Sequence, residues 1–116
     1  MIDLKKSQAD LFVWAKRNFG EPNDPNGSLN TVNEVLGMAE EMGELAHAVL
    51  KRQQKIREAA DGSDMKEEIA DAFADVVIFG LNAMSCEGID AEQVLKEVID
   101  KVLRRDWVND PEGLNA

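Results

Sequence analysis

Two pairs of carboxylates at helical spacing are the residues of this chain best suited to chemistry. Glu41 and Glu44 stand three apart, as do Glu68 and Asp71, with 23 residues between Glu44 and Glu68. Positions three or four apart share one face of a helix. Asp64, Glu68, Asp71, Asp75 and Asn82 follow at spacings of four, three, four and seven, which makes a single stripe. Ala72, Ala74, Val76 and Phe79 surround that stripe, and no Lys or Arg follows Lys66 before Lys96. Two carboxylates about 5 Å apart repel by roughly 3 kcal/mol at an effective dielectric near 20. Burial would push their pKa values up unless a cation held them ionised.

An antiparallel pairing of the two segments would face Glu41-x-x-Glu44 with Glu68-x-x-Asp71, with Glu34 one heptad earlier on the same side. Gly37 and Ala48 would leave room for something to approach. Four converging carboxylates form an all-oxygen site, which suits hard Mg²⁺ with Mn²⁺ as a substitute. One E-x-x-E alone is weak, because exposed helices are rich in glutamate. The doubled motif, with its second half in an apolar segment, is far more specific.

The elements that must carry these residues are helices. Apolar positions recur at three- and four-residue spacing nearly throughout, and no stretch alternates with period two. A first helix is expected from about Asp3 to Phe19, with Trp14 at the edge of its apolar arc. Two prolines and two glycines between Gly20 and Gly27 make 20–30 a loop. Thr31 and Glu34 have the form of a capping box for a long second helix that frays before Asp61-Gly62. Asp64 with Glu67 can cap a third helix reaching about Cys86. That helix is apolar on nearly every side, so it is expected to be buried. Gly88 stops it, Asp90 with Gln93 caps a fourth running to about Arg105, and 107–116 reads as a tail. The expectation is one all-α domain over 1–116, four-helix bundle-like, its modest core completed by homo-oligomerisation into a homodimer or homotetramer.

Composition bounds the ligands. The chain has 116 residues, 44% of them hydrophobic and 31% charged, with a net charge of −10. That balance argues against a nucleic-acid partner and against a polybasic membrane surface. Met1 to Lys5 does not read as a signal peptide, and Ile69 to Met84 is too short to span a bilayer and carries two aspartates. No membrane partner and a cytoplasmic location are therefore expected. Cys86 is the only cysteine and His47 the only histidine, which excludes a disulfide and a cysteine or histidine-rich metal site. Glu44-x-x-His47 has half the form of a di-iron bundle, which needs two histidines, so His47 reads as a packing residue. Aligning an EF-hand glycine on Gly27 puts Pro22 at the first ligand position, and no phosphate-binding glycine loop occurs.

Glu40-Glu41-Met42-Gly43-Glu44-Leu45, Glu67-Glu68-Ile69-Ala70-Asp71 and Lys101-Val102-Leu103-Arg104-Arg105 together resemble the MazG-type all-α nucleoside triphosphate pyrophosphatases, over roughly Val32 to Trp107. The superfamily also contains dimeric dUTPases, dCTP pyrophosphatases and phosphoribosyl-ATP pyrophosphohydrolases. The resemblance implies Mg²⁺-dependent hydrolysis of a nucleoside triphosphate to monophosphate and pyrophosphate, with Glu41, Glu44, Glu68 and Asp71 as metal ligands. Ala74-Asp75-Val76-Val77-Ile78-Phe79 also matches the metal-site helix in another register. There Asp75 is the motif aspartate, but the motif glutamate falls on Ala72. Asp71 is preferred, with Asp75 as an extra ligand or water-orienting group.

Such chemistry needs charge neutralisation and an in-line water more than a covalent step. Glu41 is the expected base. Against a net charge of −10, phosphate contact is expected from Lys101, Arg104 and Arg105; Lys51, Arg52, Lys55 and Arg57 read as helix C-terminal cations. Trp14 offers a stacking face for a base, and Asn82 a hydrogen-bonding group for base or sugar. The competing reading is a non-catalytic acidic helical module that binds a partner protein, with cation-dependent assembly.

Overall fold

The computed structural model describes residues 1–55 and 65–115. Arg57, Asp61, Gly62 and Asp64 lie outside the described residues. Four helices follow one another, α1 (Leu4–Phe19), α2 (Thr31–Gln54), α3 (Lys66–Cys86) and α4 (Ala91–Leu103), and there is no strand among the described residues. The all-α expectation holds.

Local chemistry sets the boundaries. Asp3 caps α1 by accepting from the Lys6 N–H, and Asp90 caps α4 by accepting from the Gln93 N–H. The expected Thr31–Glu34 capping box does not form. Asn30 caps α2 one residue earlier, accepting from the Asn33 N–H at 2.8 Å. Thr31 instead donates its hydroxyl to Glu87, and the Glu34 side chain turns inward, where it is buried. The residue before α3 is Met65, left-handed and without a side-chain cap bond. At the other end of α3, Gly88 takes a φ of +69°, a conformation costly for residues with a Cβ, and the chain turns into α4.

The closest packing joins α2 to α3, with α1 against α3 and α4 resting on α1. The α2–α3 register is antiparallel. Gly37 lies against the Phe79 ring, Met38 reaches Gly80, and Leu45 and Ala48 pack on Ile69 and Ala72. Ala48 is thus core, and the room at Gly37 is taken by an aromatic ring. Gln8 fastens the other side. Its amide donates to Ser85 Oγ and the Ile89 carbonyl at 3.1 and 2.8 Å, and its carbonyl accepts from the Ala91 N–H at 3.0 Å.

The loop 20–30 is tied down. Asn23 and Leu29 share a backbone hydrogen bond, as do Ser28 and Phe19, and the Leu29 side chain is only 1% exposed.

The expected burial of α3 is not met within one chain. Ile69, Ala72, Leu81 and Ala83 are covered, whereas Phe73 and Val77 on its other side are more than half exposed. One partner helix covers one side only. The short-stretch argument against a membrane span also fails. α3 has 21 residues and a mean hydropathy of 1.5 over its most apolar window, enough by length and composition to cross a bilayer. Two features oppose a span: α2 packs along the helix, and Asp71 and Asp75 would each cost about 2.5–3.5 kcal/mol near a bilayer centre.

Candidate active site

Because α2 and α3 run antiparallel, acids at matching heights on the two helices meet across their seam. An outer cleft of about 320 Å³ is lined by Glu44 and His47 from α2 and by Glu68, Asp71 and Asp75 from α3. An inner pocket of about 430 Å³ is lined by Glu34 and Glu41 from α2, by Asp75 and Asn82 from α3, and by Trp14 and Phe19 from α1. Asp75 borders both spaces.

Four of the five expected metal-binding carboxylates therefore share the outer cleft, and Glu41 faces Asp75 in the inner one. They sit differently from what the sequence suggests. Glu44, Glu68, Asp71 and Asp75 are exposed in the single chain, the last three because that side of α3 has no cover there. They do not fan apart to opposite faces; they border one cleft. Asp75, read from sequence as an extra group, is the aspartate whose charge Glu41 feels.

Glu41 is the most perturbed of these acids. Desolvation raises its pKa, a hydrogen bond to Glu44 raises it further, and the charges of Glu44, Asp75 and Glu40 act in the same direction. Its Oε2 is buried without a hydrogen-bond partner. The ion pairs Lys5–Asp90 and Lys6–Asp10 lie away from the five acids.

These features fit a hard divalent cation by donor type and by electrostatic need. Glu41, with an orphaned buried carboxylate oxygen, feels the negative charges of Glu44 and Asp75, and a positive charge between the two helices would offset that repulsion. As the side chains stand, no three of His, Cys, Asp and Glu among the described residues are close enough to chelate an ion. Ligation would draw them inward from their exposed positions.

The remaining sequence candidates divide. Trp14 walls the inner pocket and meets Phe19 edge to face, with ring centroids 5.7 Å apart. Asn82 lines the same pocket, 2% exposed, and its Oδ1 has no partner. Lys101, Arg104 and Arg105 are not brought to either space in one chain. They are exposed at the end of α4, which rests on α1, and the Arg105 guanidinium stacks over Trp107 at 5.6 Å. Two residues given other roles by the sequence also join. His47 is exposed on the outer cleft rather than packed, as its three-residue offset from Glu44 could have signalled. Glu34, assigned to a cap, is 6% exposed at the inner pocket, and burial raises its pKa. Burial also raises the Cys86 thiol, with Glu34 and Glu87 adding to the effect.

Four helices with no strand among the described residues, and an acid-lined seam between two of them that opens beside an aromatic pocket, define an all-helical protein with an acidic groove. Residues 31–108 match the family model of the MazG nucleotide pyrophosphohydrolase domain, and the chain belongs to that family. Its enzymes act on nucleotides and generally use divalent metal ions. No curated protein and no solved structure matches the chain.

Proposed function

We propose that this protein hydrolyses nucleoside triphosphates to the monophosphate and pyrophosphate with Mg²⁺, clearing unwanted nucleotides. Glu41 carries the reading. Its buried, partnerless Oε2 and raised pKa lie on the inner pocket beside Asp75, the residue that borders both acid-lined spaces, in a chain of a pyrophosphohydrolase family. Glu44, Glu68, Asp71 and Asp75 would hold the ion, with Mn²⁺ as a substitute. Bound there, the ion supplies charge neutralisation on the phosphate oxygens.

In the reaction, the oxygen of water forms a bond to the α-phosphorus. The bond from that phosphorus to the α–β bridging oxygen breaks, and pyrophosphate leaves with the electron pair. Glu41 accepts the proton of the attacking water, a task suited to a carboxylate more basic than usual. Trp14 offers the base a flat apolar wall.

The proposal includes assembly into a homodimer or homotetramer. The chain exposes 8521 Å² of surface, against about 6,300 Å² for a compact protein of its mass. Its radius of gyration is 17.9 Å, against about 13 Å for a compact domain of this length. Val98, Ile99 and Val102 form an uncovered stripe along α4, each about half exposed. An excess of this size matches what a permanent interface buries. It also gives Lys101 and Arg104 a route to phosphate, through the acidic groove of a second copy.

The test is pyrophosphate release from a panel of canonical and modified NTPs and dNTPs, with and without Mg²⁺. Metal-dependent release from at least one member is expected. No release across the panel, with no thermal shift from Mg²⁺ plus nucleotide, would favour the non-catalytic acidic module.

A further inference from the structure

The inner pocket holds more polar chemistry than phosphate hydrolysis uses. Beyond Glu41 and Asp75, Glu34 and Asn82 line it. Both are more than nine-tenths buried. Asn82 Oδ1 has no hydrogen-bond partner, and the Glu34 carboxylate is a second acceptor on the same wall. A buried acceptor left unmade costs about 1–3 kcal/mol, so Asn82 Oδ1 beside this cavity calls for a donor from a bound molecule.

The rest of the wall says what shape that donor has. Trp14, Phe19, Ile78 and Phe79 make the surroundings flat and apolar, and 430 Å³ lies in the range of small-molecule sites. A planar aromatic group with N–H bonds at its edge fits. An exocyclic amine carries two such bonds pointing apart, one for each acceptor. A carbonyl in the same position would set oxygen against oxygen. Burial favours the protonated form of Glu34 in the empty pocket, and two amine N–H bonds would favour the ionised one.

We propose that Glu34 and Asn82 are specificity-determining residues that read an amino-bearing nucleobase and disfavour bases with a carbonyl in its place. This inference rests on the pyrophosphohydrolase reading for its substrate, and it sets a preference that reading leaves open. Sites built to hydrogen-bond a donor reject analogues lacking it much more strongly than apolar pockets reject a missing methylene.

The test compares substrates that differ by that one group, dCTP with dUTP and dATP with dITP, using the full chain with Mg²⁺. A kcat/KM at least tenfold higher for the amino member of each pair is expected. Glu34→Gln adds an amide N–H that can donate to a carbonyl, so the ratio should fall. Asn82→Leu should lower the amino member selectively, leaving the far-UV spectrum unchanged. Binding of dCMP and dUMP without metal, followed by calorimetry, gives a readout independent of turnover. Hydrolysis with equal or reversed preference overturns the inference and leaves the pyrophosphohydrolase reading intact. If no triphosphate is hydrolysed, that reading fails, and the inference is decided by the monophosphates: tighter dCMP supports it, and equal or absent binding overturns it.

Discussion

The ring of Phe79 fills the space that a side chain at Gly37 would need. A Cβ built on Gly37 would come within 2.8 Å of the ring Cζ, nearer than van der Waals contact allows. The missing side chain at Gly37 makes room for that ring, and Phe79 is also a wall of the inner pocket.

Gly37→Ala should therefore destabilise the fold. The helix would gain about 0.5–1 kcal/mol from the better helix former, and overpacking would cost about 1–3 kcal/mol. A net loss is expected, read as a lower urea midpoint at unchanged slope. Because the displaced ring reshapes the pocket, nucleotide KM should rise as well. A variant as stable as the wild type would show that the ring can move aside freely.

Glu34 makes stability depend on pH. Its pKa in the fold lies above the ordinary carboxylate value because burial penalises the charge. The folded state then holds a proton that the unfolded state has released, so unfolding free energy falls as pH rises across that interval. The stabilising contribution is fully present below the ordinary glutamate pKa and is lost above the folded one. Glu34→Gln should flatten this part of a Tm-against-pH curve and raise Tm at neutral pH without nucleotide. An unchanged slope would assign the dependence to other groups.

The acidic groove should respond to cations. At neutral pH, Mg²⁺ should raise Tm, because binding to the folded form would offset the repulsion around Glu41. Asp75→Asn, which removes the carboxylate shared by both spaces, should abolish most of that rise and lower turnover at least a hundredfold. Glu40→Gln, just outside both linings, should keep both. Equal Mg²⁺ shifts in the wild type and Asp75→Asn would remove Asp75 from the ligand set.

Gln8 is a structural prediction independent of function. Gln8→Leu deletes two donated bonds and leaves the buried Ala91 N–H without its acceptor. A loss of about 1–3 kcal/mol is expected, with early exchange of the Ala91 amide in hydrogen-exchange measurements.

Replacing Val98 and Ile99 together by lysine should split the assembly into single chains, seen by light scattering after gel filtration. Turnover should fall with it if Lys101 and Arg104 serve a neighbouring groove. A variant that remains the same size as the wild type would move the interface elsewhere.

Much of this architecture was legible in the residues. Periodicity gave the four helices, the Asp90 cap and the Gly88 stop, because those features depend on local chemistry. The seam acids were legible as well, since the doubled motif on antiparallel helices leaves few ways to pair them. What the sequence misjudged depends on neighbours. α3 reads as buried all round, yet one chain supplies cover for one side only, and Asp71 and Asp75 remain exposed. Glu34 could as well cap as point inward, and the choice was settled by Asn30 taking the cap. Lys101 and Arg104 carry the right charge, but no local pattern says which helix α4 will lean on.

Leu29, buried outside any helix, turns the segment between Phe19 and Asn30 from a tether into masonry. Proteases should find little purchase there despite its prolines and polar residues. A peptide tag spliced into it should loosen Phe19, and with it the aromatic side of the inner pocket, although no residue of the acidic groove had been touched.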